Sequence, residues 1–459
     1  MTDHQRHDSL GMTQAGVEAV PALNRLAAES VRFTRAYNAA PLCAPARTAL
    51  ATGLYPTANG IVTNDWRGER AGDHTPIHEA LYNAGYDVAH IGVDHIRVRP
   101  SLRERVRFAL WNDNGSYKRY AQENALDNPY PGGRERYKSH SIENHGGKPV
   151  ERAYSNAQTG VFPYEARHFK DAYWGRQAEA FLREPRERPF ALFLYLWAPH
   201  PPLVLPEPYA SMFNPREIQL PENVGVPAIG EPLNRRRGIA ARMAEGVSLD
   251  AWRRAWAAHL GLVRLADDAV GGVLNALDES GHADEAAVFF MSDHGDHLGQ
   301  HAMYQKMEMY EQAVRVPFLV KVPGQTPRAV EEVVSHLDIM PTLLEAAGLP
   351  IPNGLDGRSL WGCVQRGETL DAQPAYICYS GNPAIGDIRR AVVSGRWKYV
   401  YDPDDIPELY DLQNDPLETQ NRAGDPSARG VLDDLHARLK EWGEARGDWI
   451  DFNQTHITA

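Results

Sequence analysis

The stretch Cys43-Ala44-Pro45-Ala46-Arg47 sets a thiol one helical turn ahead of a guanidinium, whose rigid fork of donors can hold an anionic oxygen beside the sulfur. Only two other cysteines occur, Cys363 and Cys378. An odd total at long spacings reads neither as a disulfide framework nor as a zinc cluster, so one thiol is a candidate for special chemistry. Two polar clusters follow nearly continuous apolar runs: Pro199-His200-Pro201-Pro202 after 190–197, and Ser292-Asp293-His294-Gly295-Asp296 after 287–291. Strands covered on both faces have that composition, and open α/β sheets bind ligands just beyond the carboxyl ends of such strands. Each residue also has a plain reading: a structural cysteine beside a proline turn, an Asp-His pair capping a helix, a rigid loop histidine, a solvated lysine at Lys306. Their order along the chain, rather than any one of them, argues for a site.

Four stretches, taken in that order, resemble the type I sulfatases of the alkaline phosphatase superfamily. Cys43 to Arg47, with Thr52-Gly53 after it, resembles the family's Cys-x-Pro-x-Arg signature. Met1-Thr2-Asp3-His4 resembles the opening strand that ends in a metal-binding Asp, and Asp293-His294 resembles the second half of that metal site. Lys306, ahead of Tyr310-Glu311, resembles the lysine that contacts sulfate.

The resemblance implies that a maturation enzyme oxidises Cys43 to formylglycine. Its hydrate carries two hydroxyls on one carbon, one to attack sulfur and one to expel sulfate by regenerating the aldehyde, an exit that serine lacks. It implies a divalent metal held by Asp3, His4, Asp293, His294 and the modified Cys43, with Ca²⁺ or Mn²⁺ as the ion. Imidazole nitrogen in that set shifts the expectation toward Mn²⁺ or Zn²⁺. Arg47 and Lys306 would stabilise the transferring group, His200 could protonate the departing oxygen, and His95 in Gly92-Val93-Asp94-His95 would assist the hydrate. Relatives carry Lys where this chain has Val93, which makes phosphonate monoesters or phosphodiesters an alternative to sulfate esters. A non-catalytic binding protein on the same scaffold is a third reading, opposed by the intact Cys43 and Arg47.

These residues need a scaffold that brings distant parts of the chain together. With 459 residues, 43% hydrophobic and 24% charged, the chain is long enough for a large and a small folded unit. The pattern predicts helices over 21–29 and 249–280 and strands over 31–37, 190–197 and 287–291. The implied fold class is α/β: a large central, mixed and mostly parallel sheet flanked by helices, alkaline phosphatase-like, with a small C-terminal antiparallel sheet and a packing helix. The expected division is a catalytic domain over 1–365, with an insertion over about 100–180, and a C-terminal subdomain over 366–459. In the tail, 390–401 and 408–412 read as strands, and Leu432, Leu435, Leu439 and Trp442 mark the final helix. Within the insertion, Trp111, Tyr117, Tyr120 and Tyr130 could stack on a sugar ring or form a local core.

A formal charge of −12 argues against nucleic acid or an anionic membrane surface as partner, and no apolar run reaches transmembrane length. The expected partners are a small-molecule or carbohydrate sulfate ester and a formylglycine-generating enzyme, with a homo-oligomer left open. The polar start of the chain lacks a secretory pattern, which points to the cytoplasm; a short first strand before Asp3 leaves a periplasmic or secreted protein as the alternative.

Overall fold

The computed structural model describes residues 1–64, 71, 74–145 and 148–454, so 146–147 of the expected insertion and 455–459 of the expected tail lie outside it. The helix Pro21–Ala28 begins with proline, whose fixed φ suits a first helical turn, and buries Leu23 and Leu26. Its amides at Ala22 and Leu23 each donate to the Asp267 carboxylate at 2.8 Å, which ties it to the 31-residue helix Leu249–Glu279. The strand Val31–Tyr37 follows directly.

That strand belongs to a central sheet built from distant segments. In spatial order the strands are Leu110–Asn112, Asp87–Gly92, Phe190–Tyr195, residues 1–3, Val288–Met291, Phe318–Lys321, Val31–Tyr37 and Arg328–Ser335. Phe318–Lys321 and the short Arg315–Val316 just before it run antiparallel to their neighbours and the other strands run parallel, so the sheet is mixed and mostly parallel. Residues 1–3 bridge its two halves: Leu196 N donates to Met1 O at 2.9 Å and Thr2 N to Met291 O at 3.0 Å. Three residues are enough because their amides and carbonyls find partners on both sides.

The stretch 100–180 is more ordered than its composition implies. It contains the helix Asn114–Glu123 and the antiparallel pair Lys138–His145 and Lys148–Ser155. Its last part, the helix Lys170–Arg183, belongs to the main fold: Trp174, Phe181 and Leu182 are buried, and it packs on Leu249–Glu279. Each such Phe or Leu contributes roughly 1.5–3 kcal/mol of burial free energy. A Cβ at Gly175 would come 3.1 Å from Ala269 Cβ, so the missing side chain allows the close helix approach.

The tail carries a four-stranded antiparallel sheet, Ala375–Ser380, Ile388–Ser394, Trp397–Tyr401 and Glu408–Asp411, covered by the helix Arg429–Ala445. The expected single strand over 390–401 is therefore two strands. Gly395, at φ 54°, reverses the chain between them, a conformation that side-chain-bearing residues resist. Among the described residues no helix is long and apolar enough to cross a membrane.

Candidate active site

Four segments end at one place, the carboxyl edge of the central strands. Residues 1–3 deliver Asp3, and the chain then turns at His4, whose φ of 69° is unusual for a residue with a side chain and costs about 1–3 kcal/mol. The turn is held by His4 N on Asp293 Oδ1 at 3.3 Å and Gln5 N on Ser292 Oγ at 3.0 Å. Beyond Val288–Met291, a Cβ at Gly295 would lie 2.0 Å from Gln312 O, so only glycine lets that chain pass. The third segment is the helix Cys43–Thr52, wholly buried, with Cys43 as its first residue and Gly53 closing it at φ 68°. The fourth is the irregular stretch around Lys306, flanked by Gln305 and Met307 at positive φ.

Cys43 Sγ lies 3.2 Å from His294 Nε2 and 3.8 Å from Asp3 Oδ1, and Lys306 Nζ donates to it at 3.0 Å. The same ammonium reaches His4 Nε2 at 2.6 Å and His200 Nε2 at 3.5 Å. Each of these imidazoles spends its other nitrogen elsewhere: His294 Nδ1 on Gly295 O at 3.0 Å, His200 Nδ1 on Pro201 O at 2.5 Å, and His4 Nδ1 on Asp296 Oδ2 at 2.7 Å. A carbonyl only accepts, so Nδ1 of His294 and His200 carries the proton and Nε2 offers a lone pair. The three hydrogens of Lys306 then match three acceptors.

Arg47 locks the two acids in place. Its Nη2 donates to Asp3 Oδ2 at 2.9 Å and its Nε to Asp293 Oδ2 at 2.8 Å. Among the described residues the buried Nη1 has no hydrogen-bond partner, which leaves one guanidinium nitrogen, with its two hydrogens, for an anion. Burial, then the charge of Asp293, raises Asp3 to about 7. Burial, then the charge of Asp3, pushes the Cys43 thiol up to about 12. His4, His200 and His294 are all held well below the ordinary histidine value, first by burial and then by Lys306. For Lys306 burial acts downward, but the charges of Cys43 and Asp3 outweigh it and the group is raised.

Four of the five expected metal ligands converge: donor atoms of Asp3, His4, Cys43 and His294, all buried, lie within 4.8 Å of one another. Neutral imidazoles, a carboxylate and a sulfur position in one cluster fit a divalent cation, which would also favour ionisation of Asp3. Asp293 stands behind them, its Oδ1 taken by the amides of His4 and His294 and its Oδ2 by Arg47. Its Oδ2 is 3.6 Å from His294 Nε2. His95 is buried against the same group of charges, its ring centroid 6.4 Å from that of Trp197. Burial, then the charge of Arg47, holds it well below the ordinary value. Val93 is a core residue, 1% exposed.

Two features escaped the sequence reading. Asp296 orients His4, and its only signal was a second acid two residues after His294. Ala44 N donates to Asn64 Oδ1, and Asn64 Nδ2 to Asn382 Oδ1, an amide rim from two remote loops with no motif at all. The aromatic residues proposed for sugar stacking are engaged locally. Trp111 stacks on His90 at 4.2 Å, Tyr120 on Tyr173 at 4.4 Å, and the Tyr117 hydroxyl donates to His168 O.

Comparison with known proteins bears on the family of the whole chain. The sulfatase family model matches residues 1–349, and the model for the C-terminal part of N-sulphoglucosamine sulphohydrolase matches 299–445. A multifunctional alkaline phosphatase superfamily protein, PehA, of Trinickia caryophylli is 30% identical, with 93% of this chain and 90% of that protein covered. The choline-sulfatase of Rhizobium meliloti (strain 1021) is 28% identical, over 90% of this chain and 79% of its own. Among solved structures, the phosphonate monoester hydrolase SpPMH from Silicibacter pomeroyi superposes with a TM-score of 0.79 at 23% identity, covering 98% of this chain and 95% of that one. The chain belongs to the sulfatase family of sulfuric-ester hydrolases, within the alkaline phosphatase superfamily.

Proposed function

We propose that this chain hydrolyses a sulfate ester, with Cys43 matured to formylglycine as nucleophile beside a divalent cation held by Asp3, His4 and His294, with Asp293 behind them. The observation that carries the reading is the convergence on Cys43 Sγ of His294, Asp3 and Lys306, at 3.2, 3.8 and 3.0 Å. The hydrate would supply an oxygen nucleophile and a second hydroxyl for product release, and the cation a Lewis acid that sharpens the nucleophile and polarises the ester.

The protein's own residues do the rest. Arg47 presents Nη1 to a sulfuryl oxygen while its other nitrogens hold Asp3 and Asp293 apart. The N-terminal end of the helix Cys43–Thr52 adds partial positive charge beside residue 43, although Ala44 N is taken by Asn64 and Pro45 has no amide hydrogen. Lys306 neutralises the departing oxygen and can give it a proton from Nζ. His200, an acceptor at Nε2, positions that ammonium. His95, kept neutral by burial and by the charge of Arg47, lies in the same charged neighbourhood.

A second reading, hydrolysis of phosphonate monoesters or phosphodiesters, is favoured by the mixed imidazole and carboxylate donor set and by Val93 in place of lysine. Rates of matured, metal-loaded protein on an aryl sulfate and on the matching aryl phosphonate separate the two. Faster turnover of the sulfate is expected, and a clear preference for phosphorus replaces the main reading.

The Asp296→Asn variant tests the cation site. The amide can keep the Oδ1 contacts to Leu298 N and Gln305 N at 3.0 and 3.1 Å. Its NH₂ would face His4 Nδ1, moving the imidazole proton to Nε2 and removing a ligand lone pair. Metal affinity should fall roughly 10- to 100-fold by calorimetric titration with Mn²⁺ or Zn²⁺. Unchanged affinity would mean that His4 is no ligand.

A further inference from the structure

Trp197 lies just past the central strand Phe190–Tyr195, partly exposed beside the site, and three groups gather on it. His200 packs against it with ring centroids 4.0 Å apart, His95 meets it edge-on, and Lys170 Nζ lies 3.9 Å from the ring centroid. The arrangement is braced from below. Asp171, fully buried in the first turn of the helix Lys170–Arg183, accepts Trp197 N at 2.6 Å and Ala198 N at 3.0 Å through Oδ1. The clamp fixes the indole relative to the helix that carries Lys170.

Lys170 differs from the other two cations of the site. Arg47 is engaged with Asp3 and Asp293, and Lys306 with Cys43 and two imidazoles. Among the described residues Lys170 forms no ion pair; its recorded contact is the face of Trp197. It is nevertheless within electrostatic reach of the site, since its charge bears on His200 and that of Asp3 bears on it.

We propose that Lys170, seated on Trp197, is a specificity-determining cation that binds a second anionic group, a carboxylate or a further acid ester, on the leaving-group side of the substrate. The side follows from the partners. The transferring group is gripped by Cys43 and Arg47, with Lys306 at the departing oxygen, and Lys170 approaches across Trp197 from the side of His200, whose Nε2 meets Lys306. A half-buried ammonium without a carboxylate partner is costly to keep, and an anionic substrate would repay that cost on binding. Burial lowers Lys170 to about 8, the charges of Asp171 and Asp3 offsetting part of the effect, so at neutral pH it is still mostly charged. The inference rests on the proposed placement of the ester at Cys43.

The test is a ratio. Two aryl esters of matched leaving-group acidity, one neutral and one bearing a ring carboxylate, are assayed as sulfates and as phosphonates with matured, metal-loaded protein. Lys170→Met keeps the aliphatic contact with Trp197 and should lower kcat/KM for the carboxylate ester roughly 10- to 100-fold, mainly through KM, with little change for the neutral ester. Lys170→Arg should retain most of the preference. Equal losses on both esters, or no loss on either, overturn the proposal. Partial unfolding scales both rates alike and leaves the ratio readable. If only the phosphonates turn over, the sulfate reading fails while the Lys170 comparison still runs.

Discussion

Replacing Cys43 by Ala should lower kcat/KM by roughly 10⁴-fold or more, the scale seen when a covalent nucleophile is deleted. The unmatured protein, with Cys43 still a thiol, should be as inactive as the variant. In the metal-free protein burial and the neighbouring charge of Asp3 push that thiol up to about 12, which keeps it protonated at neutral pH. In the metal-free protein such a thiol is a poor nucleophile, and a thiol also lacks the second hydroxyl that would expel sulfate. An aldehyde hydrate at the same position is subject to different demands, because its hydroxyls can be sharpened by a cation and by Arg47. The decisive measurement pairs peptide mass spectrometry of residue 43 with activity, in protein made with and without a formylglycine-generating enzyme. Full activity from unmodified thiol would remove formylglycine from the mechanism.

The second large effect is expected at Arg47. It bridges two buried carboxylates, Asp3 and Asp293, each at less than 1% exposure, through hydrogen bonds of 2.9 and 2.8 Å. In Arg47→Met the acids lose their shared counter-charge, and breaking such a buried network costs roughly 3–5 kcal/mol in metal-free protein. Asp3 already titrates near 7 with Arg47 in place; without it, Asp3 will hold its proton more tightly. Saturating metal should recover part of the lost stability, because the cation supplies the missing charge. The rate should not recover: loss of one oriented donor to the transferring group lowers kcat by roughly 10²- to 10³-fold. Arg47→Lys separates the two roles, restoring charge without the planar fork. Urea melts in chelator and in metal, set beside kcat, read both effects. A metal-free Arg47→Met protein as stable as its parent would show that Asp3 and Asp293 are not both charged there.

The elements that carry the site were readable because their patterns are local. Pro21 at a first helical turn, the apolar stripe of Leu249–Glu279 and the solid apolar runs at Phe190–Tyr195 and Val288–Met291 depend on near neighbours in sequence. Where local pattern was ambiguous the reading failed. A glycine between two apolar segments did not by itself distinguish one strand over 390–401 from a hairpin turning at Gly395. In 100–180, aromatic residues without clear periodicity left sugar stacking and a local core both open, and Tyr117 and Tyr120 pack on each other and on the helix Lys170–Arg183.

The amino-acid sequence by itself determined the chemical parts: a thiol one turn ahead of Arg47, acids and imidazoles at strand ends, and a lysine ahead of Tyr310-Glu311. Only the tertiary structure decided their meeting. Residues 1–3 slot between Phe190–Tyr195 and Val288–Met291, which brings Asp3 within 3.8 Å of a sulfur forty residues away. Asp296 behind His4, and Lys170 on Trp197, acquired their roles the same way. The physical reason is that pairing across a parallel sheet joins segments hundreds of residues apart, and a short polar side chain carries no periodic mark of the partner it will meet.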